Sequence, residues 1–266
     1  MTSDPPAPDT AFPDPLAAFR LDGQVALVTG ASSGLGARFA RVLDAAGARV
    51  AITARRADRL ELLAESLTDP IVLPCDLTDD ERRATLVPAV IDATGRIDIL
   101  VNNAGRSEPM RAFDEPVDHF RATIDVNLIA PFAIAQAAAR AMEEHGIAGR
   151  IINIASIYSL VGIGRVPEAG YSASKGGLAS LTRELASQWS RRNIRVNALA
   201  PGWFPSEMTT EMFDDPRLGE WIVEKTPLRR PGAPHELDGA LLFLAGAASS
   251  YVTGQVLAVD GGWTAV

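Results

Sequence analysis

Residues 24–36 read QVALVTGASSGLG, a short apolar run that passes directly into a glycine-rich turn. Such a run is typical of a strand buried on both faces, and residues 37–46 have the apolar spacing of a helix. A glycine-rich turn between a strand and a helix lets a phosphate approach the free N–H groups and the positive end of the helix dipole. The glycines are spaced Gly-x3-Gly-x-Gly, so this stretch alone also fits a simple connection between two elements.

The alternation of apolar runs and helical patterns continues along the chain. Strands are predicted at residues 24–29, 49–54, 71–75, 97–101, 150–155, 194–199 and 255–259. Helices are predicted at residues 37–46, 57–66, 78–93, 116–144, 169–191 and 234–248. Strands that alternate with helices form right-handed βαβ units and a parallel sheet. We therefore predict one α/β domain over residues 21–266, a doubly wound, Rossmann-like sandwich with a seven-stranded parallel sheet flanked by helices.

The composition is that of an ordinary globular protein. Of 266 residues, 47% are hydrophobic and 22% are charged. The net charge of −8 argues against a nucleic-acid partner, because phosphate binding needs a basic surface. No continuous apolar run has the length of a membrane span, so no membrane association is predicted. Residues 1–20 contain five prolines and are predicted to be a flexible arm rather than a signal peptide.

Cysteine and histidine usage points to a reducing compartment and to no metal. The single cysteine, Cys75, excludes an internal disulfide and favours a cytoplasmic location. The three histidines lie far apart in the sequence and have no ligand spacing around them. No metal site is predicted.

The predicted strands end in polar or glycine-rich residues, and ligands bind at this edge of a parallel sheet. The end of the second strand is informative about the cofactor. A carboxylate there would bind a ribose 2′-hydroxyl, whereas an arginine accommodates a 2′-phosphate. Ala54 leaves no carboxylate, and Arg55 and Arg56 follow it. This pattern favours NADP over NAD, although two solvated surface arginines would look the same.

Tyr171 and Lys175 lie four residues apart within the predicted helix 169–191, so they share one face. A lysine cation there is expected to lower the pKa of the phenol and make it a usable proton donor and acceptor. Taken alone, the pair also fits an ordinary solvated helix face.

Taken in order, the motifs resemble those of the short-chain dehydrogenase/reductase family over residues 21–263. The matching pieces are Thr29-Gly30-x3-Gly34-x-Gly36, Asp76-Leu77, Asn102-Asn103-Ala104-Gly105, Asn127, Ser156, Tyr171-x3-Lys175, Pro201-Gly202 and Asp260-Gly261-Gly262. The resemblance implies an oxidoreductase that transfers a hydride between a nicotinamide and a ketone or secondary alcohol.

The resemblance also implies residue roles. Tyr171 would be the general acid or base, Lys175 would lower its pKa and hold the nicotinamide ribose, and Ser156 would donate to the substrate oxygen. Asn127 would help to hold a proton-relay water. The implied cofactor-binding residues are Gly30, Ser32, Ser33, Gly34, Leu35, Gly36, Arg55, Arg56, Asp76, Leu77, Asn103, Ala104, Gly105, Tyr171, Lys175, Pro201, Gly202, Phe204 and Ser206. Among these, Asp76 would meet the adenine amino group and the turn at residues 103–105 would pack under the adenosine.

Two features depart from the family pattern. Ser156 and Tyr171 are fifteen residues apart, two more than is usual, and the extra length falls in the glycine-rich loop at residues 161–167. We expect this loop to reshape the substrate wall, and Ser159 is a second candidate for the serine role. Ser206 replaces the threonine that often follows Pro-Gly in the family, and its hydroxyl is able to make the same hydrogen bond.

The variable segment at residues 203–230 is expected to fold over the substrate. Its aromatic and methionine residues favour an apolar pocket, while Glu207, Glu211, Asp214 and Asp215 disfavour an anionic substrate. A small neutral ketone or alcohol is therefore predicted. Alanine-rich faces on helices 116–144 and 169–191, together with the resemblance, predict a homotetramer or homodimer.

Two alternatives to the oxidoreductase remain. One is a nucleotide-binding or sensor protein of the same fold without turnover, and the other is a different nucleotide-fold enzyme such as a methyltransferase. The first predicts the loss of a catalytic group, and none of the four is missing. The second gives no reason for the joint presence of Ser156, Tyr171 and Lys175.

Overall fold

The computed structural model describes residues 14–266, and seven parallel strands form its single sheet. The strands are β1 (Val25–Thr29), β2 (Arg49–Thr53), β3 (Ile71–Val72), β4 (Ile99–Asn102), β5 (Arg150–Ile154), β6 (Arg195–Pro201) and β7 (Val256–Val259). Their order in the sheet is β3-β2-β1-β4-β5-β6-β7. The order reverses direction at β1, which pairs with both β2 and β4. Such a switch point opens a crevice at the carboxyl ends of the strands. The predicted fold class is confirmed.

Helices cover both faces of the sheet. They are α1 (Gly34–Ala45), α2 (Ala57–Ala64), α3 (Asp80–Thr94), α4 (Val117–Ile124), α5 (Ala130–Glu144), α6 (Ala169–Trp189), α7 (Thr210–Asp214), α8 (Pro216–Lys225) and α9 (Asp238–Ala245). One core cluster joins α1, α2 and α9 to one face, and a second joins α3, α5 and α6 to the other. In β1, Ala26 and Val28 belong to the first cluster and Val25 and Leu27 to the second, because successive side chains of a strand point to opposite faces.

The long helix predicted at residues 116–144 is interrupted. α4 and α5 are joined by a π-helical segment at Asp125–Ile129, which turns the Asn127 side chain into the protein, where it is fully buried. Single π turns inside helices often occur at functional sites. The π turn carries Asn127 inward, and the apolar periodicity of the sequence does not reveal such a turn.

The third strand is shorter than predicted. It ends at Val72 rather than at residue 75, because Pro74 has no N–H to donate to the ladder. The neighbouring N–H groups still bond to the adjacent strand: Leu73 N donates to Ile52 O at 3.0 Å and Cys75 N to Ala54 O at 2.9 Å.

Within residues 14–266, the segment 117–144 is the one helical stretch long and apolar enough to cross a membrane by length and composition. No segment of this kind was predicted from the sequence. Its buried residues, among them Ile134 and Met142, pack in the second core cluster against the sheet and α3. A core helix meets the same length and hydropathy criteria, and this packing accounts for the apolar composition.

Part of the predicted N-terminal arm is described. Residues 1–13 lie outside the described range. Pro15–Phe19 form a short 3-10 helix, capped by the Asp14 side chain, which accepts from Leu16 N at 2.9 Å. Leu21 follows and is fully buried in the first core cluster.

Candidate active site

The glycine turn after β1 is shaped by close backbone contacts. Gly30 and Gly34 have φ of 68° and 53°, in the left-handed region that favours glycine. A Cβ on Gly30 would lie 2.7 Å from Ala104 Cα, and one on Gly36 would collide with Gly30 O and Asn103 Nδ2. The turn therefore packs directly against the loop after β4, and side chains are excluded from it.

Thr29 and Asn103 hold this turn in place. The Asn103 amide donates to Thr29 O at 2.9 Å and Gly30 O at 3.2 Å. Thr29 Oγ1 accepts from the backbone N–H groups of Asn103 and Ala104, each at 3.0 Å. The Asn103 side chain is thus directed into the glycine turn, which we call the glycine cradle, and it holds the backbone of the turn in place. Thr29 was not among the predicted residues; a hydroxyl at the last position of an apolar strand was the available signal.

The turn fits a pyrophosphate. The N–H groups of Gly34, Leu35 and Gly36 open α1 and find no acceptor in the described chain, and Ser33 makes no capping bond with its side chain. Free N–H groups at a helix N-terminus bind anions. Ser206 lies over the same turn, because a Cβ placed on Gly34 would be 3.6 Å from the Ser206 Cβ.

Arg56 lies beside the turn, at the end of β2. Its guanidinium donates to Ser32 Oγ at 3.0 Å and to Ser33 Oγ at 2.8 Å, and it pairs with Glu207 Oε2 at 3.0 Å. Glu207 therefore faces the arginine cluster, which corrects its predicted place in a negative substrate wall.

Arg55 makes no hydrogen bond or ion pair with residues 14–266, and its charge reaches Asp76. The Thr78 N–H, at 3.0 Å from Asp76 Oδ1, is the main reason that the pKa of Asp76 lies below its usual value, and Arg55 adds to this effect. Asp76 and Arg55 thus sit together at the crevice edge, and Leu77 beside them is buried in the second core cluster.

Asn127 and Lys175 meet beneath the loop after β4. A Cβ on Gly105 would lie 3.5 Å from Asn127 Oδ1 and 3.6 Å from Lys175 Nζ. Asn127 Oδ1 accepts from Arg106 N at 2.7 Å, and its amide donates to Arg106 O at 2.9 Å and to Ser174 Oγ at 3.0 Å. Lys175 Nζ donates to Ile154 O at 2.7 Å. The fold therefore brings Asn127 and Lys175 together from distant parts of the sequence.

Ser156 is better placed than Ser159 for the serine role. Ser156 lies two residues after the end of β5, and its Oγ accepts from Tyr158 N at 3.3 Å. Its hydroxyl also interacts with the Tyr171 phenol, where it acts to lower the pKa of the tyrosine. The Ser159 hydroxyl is instead engaged with Ser156 O at 2.5 Å.

Burial dominates the electrostatics of the Tyr171–Lys175 pair. It raises the pKa of Tyr171 above its ordinary value, with Ser156 opposing the shift, and it lowers the pKa of Lys175 to about 8. The shift in the Tyr171 pKa is therefore opposite to the predicted lowering, because burial is its largest cause. The ammonium lies 5.5 Å from the Tyr171 ring centroid and donates to a backbone carbonyl, while both groups lose the hydration that favours their charged forms.

Two further polar residues beside Tyr171 were missed by the sequence analysis. The Tyr158 ring packs edge-on against Tyr171 with centroids 5.3 Å apart, and its hydroxyl donates to Val166 O at 3.1 Å. Glu168, three residues before Tyr171, is 7% exposed and accepts a short hydrogen bond from the Ser107 hydroxyl. A lone acidic residue at the end of the glycine-rich loop was the only signal for it.

The remaining predicted cofactor residues frame the crevice. Pro201 ends β6, and a Cβ on Gly202 would lie 2.7 Å from Asp260 Cα, so the ends of β6 and β7 are in contact. The Phe204 ring is 4% exposed in the first core cluster and packs against Gly232. The Phe204 ring is therefore part of the core.

Comparisons with known proteins agree with this arrangement. The family model described as enoyl-(acyl carrier protein) reductase matches residues 30–264. Galactitol 2-dehydrogenase (L-tagatose-forming) of Cereibacter sphaeroides is 41% identical over 248 residues, covering 92% of this chain and 97% of the relative. Gluconate 5-dehydrogenase of Gluconobacter oxydans is 40% identical over 253 residues, with 92% and 96% coverage.

A solved structure shows the same fold. The gluconate 5-dehydrogenase from Burkholderia cenocepacia, crystallised with NADP and tartrate, superposes with a TM-score of 0.90 at 36% identity and covers 95% of this chain and 100% of that chain. Together with the sheet order, the glycine cradle and the Tyr-x3-Lys pair, these similarities show that the chain belongs to the short-chain dehydrogenase/reductase family.

Proposed function

We propose that this NAD(P)-dependent oxidoreductase interconverts a small ketone and its secondary alcohol with NADP(H), and that Tyr171 is its general acid and base. The observation that carries the assignment is the convergence of the buried Ser156, Lys175 and Asn127 on the half-buried Tyr171. When bound, the reduced nicotinamide supplies a hydride to the carbonyl carbon.

The hydroxyl groups manage the charge that develops on the substrate oxygen during reduction. Ser156 and Tyr171 donate hydrogen bonds to that oxygen and stabilise its negative charge. Tyr171 then transfers its proton to the oxygen, which yields the alcohol and leaves a phenolate. Burial raises the pKa of Tyr171, so the phenol stays protonated until negative charge develops on the substrate oxygen. In oxidation the phenolate accepts the alcohol proton instead.

Lys175 and Asn127 support this transfer. The Lys175 ammonium, held at Ile154 O, offsets the phenolate charge and is placed to hold the ribose hydroxyls of the cofactor. Asn127 fixes the backbone at Arg106 through two hydrogen bonds, and it stands beside Lys175, where the family pattern expects a proton-relay water.

The preference for NADP(H) is supported by the residues at the end of β2. Arg56 already lies on the Ser32 and Ser33 hydroxyls, which together form a donor set for a 2′-phosphate. Arg55 adds a second guanidinium, and Ala54 leaves no carboxylate to bind a ribose hydroxyl. Glu207 competes for Arg56 in this structure, and the phosphate would have to displace it.

The substrate, the assembly and the location complete the proposal. The named relatives act on a polyol, galactitol, and on a sugar acid, gluconate, and we place the substrate among such small hydroxylated molecules, in its neutral form. A homotetramer or homodimer is supported by the exposed apolar side chains of Ile129 and Phe132 on one helix face. The single buried thiol, Cys75, is compatible with the cytoplasm.

The test is cofactor turnover with a panel of ketones and alcohols. Wild-type protein should oxidise NADPH with a hydroxyketone and use NADH at least about tenfold less well, a factor worth about 1.4 kcal/mol. Tyr171→Phe should bind NADPH normally, as measured by quenching of tryptophan fluorescence, while turnover falls by about 10²–10⁴-fold. Retained turnover in Tyr171→Phe would refute the proton-transfer role, and equal use of NADH would refute the phosphate site.

A further inference from the structure

Glu168 is a buried carboxylate with no cationic partner. It is 7% exposed, and no Lys, Arg or His in residues 14–266 lies within ion-pair distance. Burial raises its pKa, and the neighbouring Glu115 carboxylate adds to the shift. A buried charge without a partner costs folding free energy, so the presence of Glu168 at this position indicates a function.

Helix capping does not provide that use. Glu168 occupies the N-cap position of α6, but its side chain makes no capping hydrogen bond. Glu115 takes this role: its Oε2 accepts from Gly170 N at 3.3 Å, and its Oε1 contacts His119 Nδ1 at 3.0 Å. The Glu168 carboxylate accepts from the Ser107 hydroxyl, and the Tyr158 hydroxyl lies close to it.

The carboxylate lies beside the catalytic phenol. Glu168 is the N-cap residue of α6, three positions before Tyr171, and the Tyr158 ring packs on Tyr171 with centroids 5.3 Å apart. The charge of Glu168 raises the pKa of both Tyr158 and Tyr171, which places it close to the two rings. Ser107 approaches from the opposite side, in the loop that follows β4.

A second orphaned polar group belongs to the same wall. The Trp203 ring packs edge-on against Tyr158 with centroids 6.3 Å apart, and its indole Nε1 is buried without an acceptor in the described chain. The Glu168 carboxylate with the Ser107 hydroxyl, and the Trp203 indole donor, thus both lie beside Tyr158, which packs on the catalytic Tyr171. A ligand rich in hydroxyl groups satisfies all three, whereas an unsubstituted ketone leaves them unpaired, which costs binding energy.

We propose that Glu168 selects the substrate, which is an uncharged polyol or the matching ketose rather than a sugar acid. The inference rests on the proposed function, because it assumes turnover at Tyr171. Hydroxyl groups donate to the carboxylate, while a substrate carboxylate would meet both Glu168 and Glu115 in a site of low dielectric constant. The Arg106 guanidinium, which would otherwise attract an acid, is paired with Glu108 at 3.0 Å.

The test uses matched pairs of six-carbon compounds with NADP⁺: galactitol with galactonate, sorbitol with gluconate, and mannitol with mannonate. In the pair that turns over best, wild-type kcat/KM should favour the polyol by about tenfold or more. Glu168→Gln removes the charge and keeps the size, so this ratio should fall by about tenfold. Glu65→Gln, at an exposed glutamate that ends α2, is the matched control and should keep the wild-type ratio.

Binding is measured as well, through tryptophan fluorescence of wild-type protein with NADP⁺, because three tryptophans cluster beside Tyr158. The polyol should quench at lower concentration than the acid. Preference for the acid, an unchanged ratio in Glu168→Gln, or use of unsubstituted ketones alone would overturn the inference while leaving the proposed function intact. Retained turnover in Tyr171→Phe would instead overturn the proposed function.

Discussion

At the scale of the residue, the catalytic pair is defined by burial rather than by mutual attraction. Lys175 is 3% exposed and its ammonium is held by one backbone carbonyl. The low dielectric constant disfavours the charged form of each group, so the lysine loses its proton more easily and the tyrosine keeps its proton longer. This arrangement favours a neutral phenol as the acid for carbonyl reduction.

The lowered pKa of Lys175 predicts the pH dependence of reduction. An amine whose pKa is about 8 is charged below that pH and loses its charge as the pH rises through it. Since kcat/KM reports the free enzyme, kcat/KM for ketone reduction should be level below about pH 7. Above about pH 8 it should fall toward tenfold per pH unit, as followed by NADPH absorbance between pH 6 and 9.5.

Lys225 provides the control for this profile, because it is the only other lysine in the chain and lies in the last turn of α8. Lys225→Gln should leave the profile unchanged. A wild-type rate that stays level up to pH 9.5 would contradict the role of the Lys175 charge.

At the scale of the element, the glycine turn and α1 depend on a tight fit with the loop after β4. Gly36 is the third residue of α1, yet its Cα faces Gly30 O and the Asn103 amide with no room for a methyl group. The same contacts carry the hydrogen bonds from Asn103 to Gly30 and Thr29. The geometry of the cofactor cradle is therefore coupled to the packing of two loops.

Gly36→Ala should disturb this fit although alanine favours helices. The added Cβ forces the turn and Asn103 apart, so we expect a loss of about 1–3 kcal/mol in the free energy of unfolding, together with a raised KM for NADPH. Urea denaturation and steady-state kinetics measure the two effects.

Gly239→Ala is the matched control, because Gly239 is the second residue of α9 and a Cβ there meets nothing within 4 Å. It should stabilise the protein by about 0.5–1 kcal/mol and leave the KM unchanged. If Gly36→Ala also stabilised the protein and left the KM for NADPH unchanged, the close contact at the turn would be wrong.

At the scale of the whole molecule, one helical face is left apolar after the core is formed. Ile129 and Phe132 lie three residues apart where the π segment passes into α5, and they are 45% and 39% exposed on one helix face. The opposite side of the same segment is buried against the sheet. Exposed apolar residues that share one face mark association surfaces, which supports the proposed homo-oligomer.

Replacing Phe132 with glutamate should weaken this association. A charge placed in an apolar contact loses its hydration, so Phe132→Glu should shift the wild-type assembly of two or four chains toward smaller species. Light scattering after size-exclusion chromatography measures the mass. Leu62→Glu, at an exposed leucine on α2, should keep the wild-type mass; a monomeric wild type would contradict the proposed surface.

Local patterns in the sequence determined the architecture and most of the candidate site. Apolar runs alternating with helical spacing indicate a parallel sheet, and the glycine turn and Tyr171-x3-Lys175 depend on residues a few positions apart. Such features follow from the two periodicities of the backbone. They therefore needed no knowledge of long-range contacts.

The tertiary structure decided what depends on contacts between distant residues. Glu207 meets Arg56 across 151 positions, and Asn103 meets Thr29 across 74. The burial that shifts the Tyr171 and Lys175 pKa values, and that leaves Glu168 without a cation, arises only when several elements pack around α6. Local spacing specifies which residues share a helix face or a turn; the dielectric environment and the partners of a side chain are set by the rest of the fold.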